Sequence, residues 1–246
     1  MSAERFDLKN IGKEIVSDLE RKGLFIGTYH KYPAIPVPSL AVEFLLGYDG
    51  YPLSVLTQIV GKKSSFKTSL SIEIAKWHVE QNGGVFYIDT EGGSSALVQN
   101  ILGDNVVCFS CSTLDKWMAT VNYIFKKISE DFEEKNTHCP ICIIVDSVTA
   151  VSSTSTIQKM DEEGILNLSY PTDTKQISQF FKKKSEMLNR YPFSFIGINH
   201  IKETISLTGG QEEYVPGGRQ LQYVCNVQLR TTKVKKPELT SKDTVV

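Results

Sequence analysis

The sequence predicts an α/β protein with a mainly parallel central sheet and helices on both faces. Three observations carry that expectation. Short apolar, β-branched runs alternate with longer helical stretches from about residue 53 to residue 199. The run Ile141-Cys-Ile-Ile-Val145 is apolar throughout, as a strand buried on both sides should be. One strand leads through a glycine- and lysine-containing loop straight into a helix, and two others end in acidic residues.

The elements follow in order. Residues 8–22 place Leu8, Ile11, Ile15 and Leu19 on one helical stripe. The stretch after it holds Pro33, Pro36 and Pro38 and reads as an extended linker. Residues 1–36 are therefore expected to be a separable helix and linker, and residues 37–246 the core. Strands are expected at Leu53–Val60, Val85–Asp89, Val106–Cys111, Ile141–Asp146, Phe193–Asn199 and Gln222–Thr232. Helices are expected at Lys67–Gln81, Leu114–Lys135 and Thr174–Arg190, with Lys182, Lys183 and Lys184 as a solvated face of the last.

Composition excludes several classes. With 41% hydrophobic and 22% charged residues in 246, the chain is neither wholly disordered nor collagen-like. A net charge of −1 does not mark a nucleic-acid binder, although a local basic groove would suffice for one. No apolar run has the length of a membrane span. The polar start MSAERFDLKN is not a secretory signal, so a cytoplasmic location is expected, and five cysteines are not read as a disulfide framework.

The loop Gly61-Lys62-Lys63-Ser64-Ser65-Phe66-Lys67-Thr68-Ser69 lies between a strand and a helix, where a phosphate-binding loop belongs. Backbone N–H groups and the helix dipole favour an anion there. Lys67 is expected to reach the β- and γ-phosphates of ATP, and Thr68 to offer its hydroxyl to Mg²⁺. Phe66 stands where such loops usually carry a second glycine, a position whose tight backbone other residues resist. Asp146 is expected to hold Mg²⁺ through water. Asp89 and Glu91, at another strand's carboxyl end, could orient or deprotonate an attacking water.

A four-cysteine zinc site is the tempting misreading of Cys108-x-x-Cys111 and Cys139-x-x-Cys142. Residues three apart in a strand face opposite ways. The strand ending at Asp89 is expected to separate the two cysteine strands, which leaves the sulfurs too far apart for one ion.

These motifs, in this order, resemble the RecA-like strand-exchange recombinases, most closely the UvsX-type recombinases of tailed phages. Ser64-Ser65-Phe66-Lys67-Thr68 shares the phage family's phenylalanine, and Phe86-Tyr87-Ile88-Asp89-Thr90-Glu91 resembles its strand-end F-Y-D-S-E. Ile198-Asn199-His200-Ile201-Lys202-Glu203-Thr204-Ile205 resembles its V-N-H-x-x-E-T-I, and Gly217-Gly218 with Tyr223 matches a further motif. The resemblance covers roughly residues 34–232.

It implies a RecA-like core and a DNA-dependent ATPase that forms helical filaments of itself. Single- and double-stranded DNA are the implied partners, with a recombination mediator and a single-strand-binding protein as further ones and no membrane. Glu91 is then the water-activating carboxylate, and His200 the sensor that reads the γ-phosphate and couples it to DNA. Residues 1–36 take on oligomerisation. Two mobile segments, Ser152 to about Tyr170 and Lys202 to Gly218, become DNA-binding loops, with Lys202, Gly209, Gly210, Gly217, Gly218 and Arg219 as contacts. The phage resemblance places the protein in a host cell's cytoplasm.

Two departures are visible. Val98 falls where the family stacks an aromatic on adenine, and the chain stops at Val246, before the family's C-terminal part. A competing expectation is a RecA-fold accessory subunit that binds nucleotide with little hydrolysis. A hexameric helicase of the same superfamily fits the Asn-His and Gly-Gly motifs less well.

Overall fold

The structure is a computed structural model and describes residues 8–22, 33–47, 49–135, 138–163, 171–205 and 211–233. The chain divides into two units, Met1–Lys31 and Tyr32–Val246. In the first, α1 spans Leu8–Arg21, and Ile15 of the apolar stripe is exposed. Arg21 donates to Ser17 Oγ and pairs with Asp18, a cation suited to a helix C-terminus.

The second unit begins with an antiparallel bridge between Ile35 and Tyr51, both buried. Between them lies a short helix, α2 (Leu40–Leu46), ended by Gly47 in the left-handed region. The chain then runs β1 (Val55–Gly61), α3 (Lys67–Glu80), β2 (Gly84–Asp89), α4 (Ser95–Leu102), β3 (Val106–Ser110), α5 (Leu114–Lys135) and β4 (Ile141–Asp146). It continues through α6 (Thr154–Glu163), α7 (Pro171–Arg190), β5 (Phe193–His200), β6 (Lys202–Ile205), β7 (Gln211–Tyr214), α8 (Gly218–Val224) and β8 (Val227–Thr231).

Six strands form one sheet in the order β3-β2-β4-β5-β1-β8, and every pairing in it is parallel. The α/β reading therefore holds. Alternate residues of the central strands feed two cores. Ile143, Val145, Phe193 and Phe195 pack with Trp117, Phe125 and Phe181 of α5 and α7. Cys142, Ile144, Ile196 and Ile198 pack with Ile72, Ala75 and Trp77 of α3. Each fully buried aliphatic or aromatic side chain contributes about 1.5–3 kcal/mol, so the strands that carry the site are held from both sides. β6 and β7 form a separate antiparallel hairpin.

Strand order bears directly on the cysteines. β2 lies between β3, which carries Cys108, and β4, which carries Cys142. The buried Cys142 thiol is pushed up in pKa by burial and serves as a small apolar side chain.

Five expectations change, the first being that the second expected loop carries two paired strands, β6 and β7. Gln222–Thr232 is not one strand: α8 occupies its first part, and β8 starts only after Asn226, which exchanges hydrogen bonds with Leu56 of β1. The segment from Ser152 is not a loop as far as Glu163, because α6 forms there, and residues 164–170 lie outside the described residues. Val98 sits in α4 and is fully buried among Tyr87, Leu102 and Val106, so it presents no face to a base. Of the three lysines in α7, Lys182 and Lys183 are exposed. Lys184 lies over the rings of Phe125 and Phe180, and burial lowers its pKa.

Candidate nucleotide site

The carboxyl ends of β1, β2, β4 and β5 meet along one edge of the sheet. Register pairs Gly61 with His200 and Asp89 with Asp146. Ligands of open α/β sheets bind at this edge. The loop from Gly61 to Phe66 arches over it and feeds α3.

Gly61 is required by packing: a Cβ there would meet Thr231 Oγ1 at 2.2 Å and Ser65 Oγ at 2.4 Å. Ser65 Oγ donates to Lys62 O at 2.8 Å and lies 2.8 Å from Thr231 Oγ1, which fastens the loop to β8. Phe66, at the N-cap of α3, has φ 65° and ψ 22°. The backbone takes the left-handed turn that glycine would take freely, and phenylalanine bears a cost there of about 1–2 kcal/mol. Its ring is 74% exposed.

Lys67 is buried, and its ammonium donates to Lys62 O at 2.9 Å. Burial lowers its pKa, while Asp146 and Glu91 pull the other way. Thr68 Oγ1 donates to Asp146 Oδ2 at 2.7 Å. Tyr87, fully buried in β2, donates its hydroxyl to the same oxygen at 2.8 Å. Burial raises the pKa of Asp146, these two hydrogen bonds oppose the rise, and Glu91 and Asp89 add to it.

Asp89 is engaged differently. Its Oδ1 accepts from the N–H groups of Glu91 and Gly92, and its Oδ2 from Ser94 N, Ser95 N and Ser95 Oγ. Burial alone would raise its pKa, but the amide and hydroxyl donors outweigh burial and hold it below the ordinary range. Asp89 thus caps α4 and shapes the turn that carries Glu91. Thr90 Oγ1 donates to Ser147 O and accepts from Ser147 N, which clamps the ends of β2 and β4 together.

Glu91 Oε1 lies 2.7 Å from His200 Nε2. A carboxylate only accepts, so the imidazole carries its proton on Nε2 and donates. Asn199, fully buried, fixes the base of this contact. Its Oδ1 accepts from His200 N and Thr149 Oγ1, and its Nδ2 donates to Pro216 O.

Lys67, Thr68, Glu91, Asp146 and His200 line one cleft of about 370 Å³, together with Lys63 to Ser69 of the loop and Ser94. Lys62 does not join them through its side chain. Its ammonium turns to Glu203 and Glu213, which raise its pKa, and Lys62 and Arg230 lower that of Glu213. Ser94 and Thr231 carry no sequence expectation, and Tyr87 and Asn199 appear in the sequence only as members of motifs, with no role of their own. A tyrosine two residues before a strand-end acid shares that acid's side of the strand, and a hydroxyl in an apolar run needs a partner. That signal was available for Tyr87.

The RecA N-terminal domain model matches residues 8–246. The chain belongs to that family. It is 27% identical over 213 residues to Protein RecA of Acholeplasma laidlawii, covering 85% of this chain and 60% of that protein. Against Protein RecA of Enterococcus faecalis the identity is 27% over 229 residues, with 92% and 61% covered. Against Protein RecA of Bacillus subtilis it is 25% over 228 residues, with the same coverage. The chain spans about 60% of the length of these RecA relatives.

Within this RecA-family core, the residues expected to meet DNA are only partly placed. Lys202 is exposed at the start of β6. Gly217 is buried with φ 96° at the N-cap of α8, which Gly218 and Arg219 open. Gly209 and Gly210 lie outside the described residues. Among the described residues, no helix is long and apolar enough to cross a membrane.

Proposed function

We propose that this chain is an ATP-dependent DNA strand-exchange recombinase of the UvsX type, which hydrolyses ATP to ADP and phosphate when assembled on single-stranded DNA. One observation carries the reading: a single cleft unites the Lys67 ammonium at a helix N-terminus, the Thr68–Asp146 pair and the Glu91–His200 pair. The phage-type assignment is supported by Phe66 in its left-handed turn and by His200 after Asn199.

The phosphates of ATP would lie against the amides that open α3 and against Lys67. Mg²⁺ fits the chemistry of the neighbouring oxygens: it is a hard cation that takes oxygen ligands, and Asp146 is a buried carboxylate served by two hydroxyl donors. Thr68 would bind the ion directly and Asp146 through water. The ion would neutralise charge on the β- and γ-phosphate oxygens. Glu91 takes the proton of the attacking water as its oxygen bonds to the γ-phosphorus and ADP leaves with the electron pair of the broken bond. His200 orients Glu91 through Nε2 and stands two residues before the hairpin, so it links the γ-phosphate end of the cleft to the DNA-binding segment.

Residues 1–36 serve assembly with a second copy, and residues 37–246 are the ATPase core. A helix of this length is marginal alone and needs a surface for its apolar stripe. DNA contacts are assigned to Lys202, Gly209, Gly210, Gly217, Gly218 and Arg219. A recombination mediator and a single-strand-binding protein complete the partners, in a cytoplasmic setting that is a host's if the source is a phage.

ATP turnover with and without single-stranded DNA tests the reading. DNA should stimulate turnover, and Lys67→Ala should lower it at least about a hundredfold, the scale of losing one electrostatic stabiliser. Tight ATP binding with no turnover, DNA present, would instead favour the accessory-subunit reading, which Phe66 in place of the loop's usual glycine supports.

A further inference from the structure

The hairpin after His200 carries an electrostatic problem of its own. Glu203 of β6 and Glu213 of β7 are direct cross-strand partners, and like charges opposite one another oppose an antiparallel pair. The strands are four residues each and, among the described residues, pair with no other strand. A lone two-stranded hairpin is marginal in water.

The cation that answers the problem comes from far away in the sequence. Lys62 Nζ pairs with Glu203 Oε1 and with Glu213 Oε1, and Arg230 of β8 pairs with Glu213 Oε2. We propose that Lys62 is the positioning residue of the hairpin: a side chain of the phosphate loop is the counter-ion that lets the opposed Glu203 and Glu213 close. The same residue's carbonyl accepts from Lys67 Nζ and from Ser65 Oγ. The hairpin is therefore tied to the backbone of the phosphate cradle through Lys62, independently of the His200–Glu91 contact. Coupling of this kind is reciprocal, so whatever moves the hairpin acts on the loop, and the converse.

Hydrogen exchange of the 246-residue chain, without nucleotide or DNA, tests this. The readout needs no ATP chemistry, so this proposal and the ATPase reading fail separately. Lys62→Ala should speed exchange of the Lys202–Ile205 and Gln211–Tyr214 amides about tenfold, the combined scale of two exposed ion pairs lost and one like-charge repulsion left unanswered. The β1 and β5 amides should keep their protection. Lys62→Arg should preserve hairpin protection, because the cation remains.

The decisive variant combines Lys62→Ala with Glu203→Gln. Removing one of the opposed charges should restore most of the protection that Lys62→Ala loses. Unchanged exchange in Lys62→Ala, equal acceleration in β5, or a double variant as fast as Lys62→Ala would each overturn the proposal.

Discussion

Asp89 and Asp146 end neighbouring strands and face each other in register. Both are nearly inaccessible to solvent, yet their surroundings drive them in opposite directions. Asp89 receives five donors from the turn that follows it, and its pKa falls. Asp146 receives two hydroxyls on one oxygen, and burial raises its pKa. The first carboxylate is spent on structure, and the second keeps capacity for a cation. A strand-end acid is therefore not a functional assignment by itself. What decides is whether the next residues turn their amides back onto it, as Glu91-Gly92-Gly93-Ser94-Ser95 does for Asp89.

Isosteric amides break the comparison most sharply. Asp146→Asn leaves an oxygen for Thr68 and Tyr87 and removes the charge that Mg²⁺ needs. Turnover should fall at least about a hundredfold, with little change in unfolding free energy measured without metal. Asp89→Asn must turn an NH₂ group toward at least two donors. It should cost about 3–4 kcal/mol in a denaturant melt, since each stranded buried polar group costs about 1–3 kcal/mol. Equal destabilisation by both variants would erase the distinction.

The acid limb of stability sharpens it further. Asp89, with its pKa lowered on folding, contributes stability above its ordinary range that is lost as pH falls through the folded value. Asp146, raised on folding, contributes oppositely, so its deprotonation costs stability as pH rises. His78 overlays both and must be removed first. It is fully buried and donates from Nδ1 to Ile74 O, so Nε2 accepts from Ser194 Oγ at 2.8 Å. Burial pushes its pKa down to about 4. Between the ordinary value near 6.5 and about 4 the unfolded chain binds the extra proton, so stability should fall with pH by up to about 3 kcal/mol. Melts of His78→Gln across that window should lose this slope.

The smallest effect belongs to Phe66. Phe66→Gly relieves the left-handed backbone and should raise stability by about 1 kcal/mol, with the site residues in place. A loss of stability would mean the exposed ring contributes more than its backbone costs.

Legibility followed local signal. Lys67, Thr68, Glu91 and Asp146 each sit at a strand or helix end that apolar runs mark in the sequence, and the sheet brings them together. Helix α5 and strand β4 have the ends their patterns indicate. Of the four short helices that the pattern does not mark, α2, α4, α6 and α8, the last three are held by distant or unobvious groups. The capping acid of α4, Asp89, belongs to the preceding strand. The start of α6 is tied by Asp115 to Thr154 N, and Asp173 binds Ser153 and Thr156, while its own Ser- and Thr-rich sequence has weak helical preference. In α8, Leu221 and Val224 at helical spacing merged visually with the strand that follows. The pairing of Lys62 with the hairpin lay 141 residues away in the sequence and left no local trace.

The central claim is that Glu91, set in place by Asp89 and His200, activates the water that attacks ATP. Glu91→Gln keeps the size and removes the base, and ATP affinity and turnover should be measured side by side in the presence of single-stranded DNA. The account predicts ATP affinity within about threefold of wild type and turnover lowered at least about a hundredfold. Wild-type turnover in Glu91→Gln would contradict it.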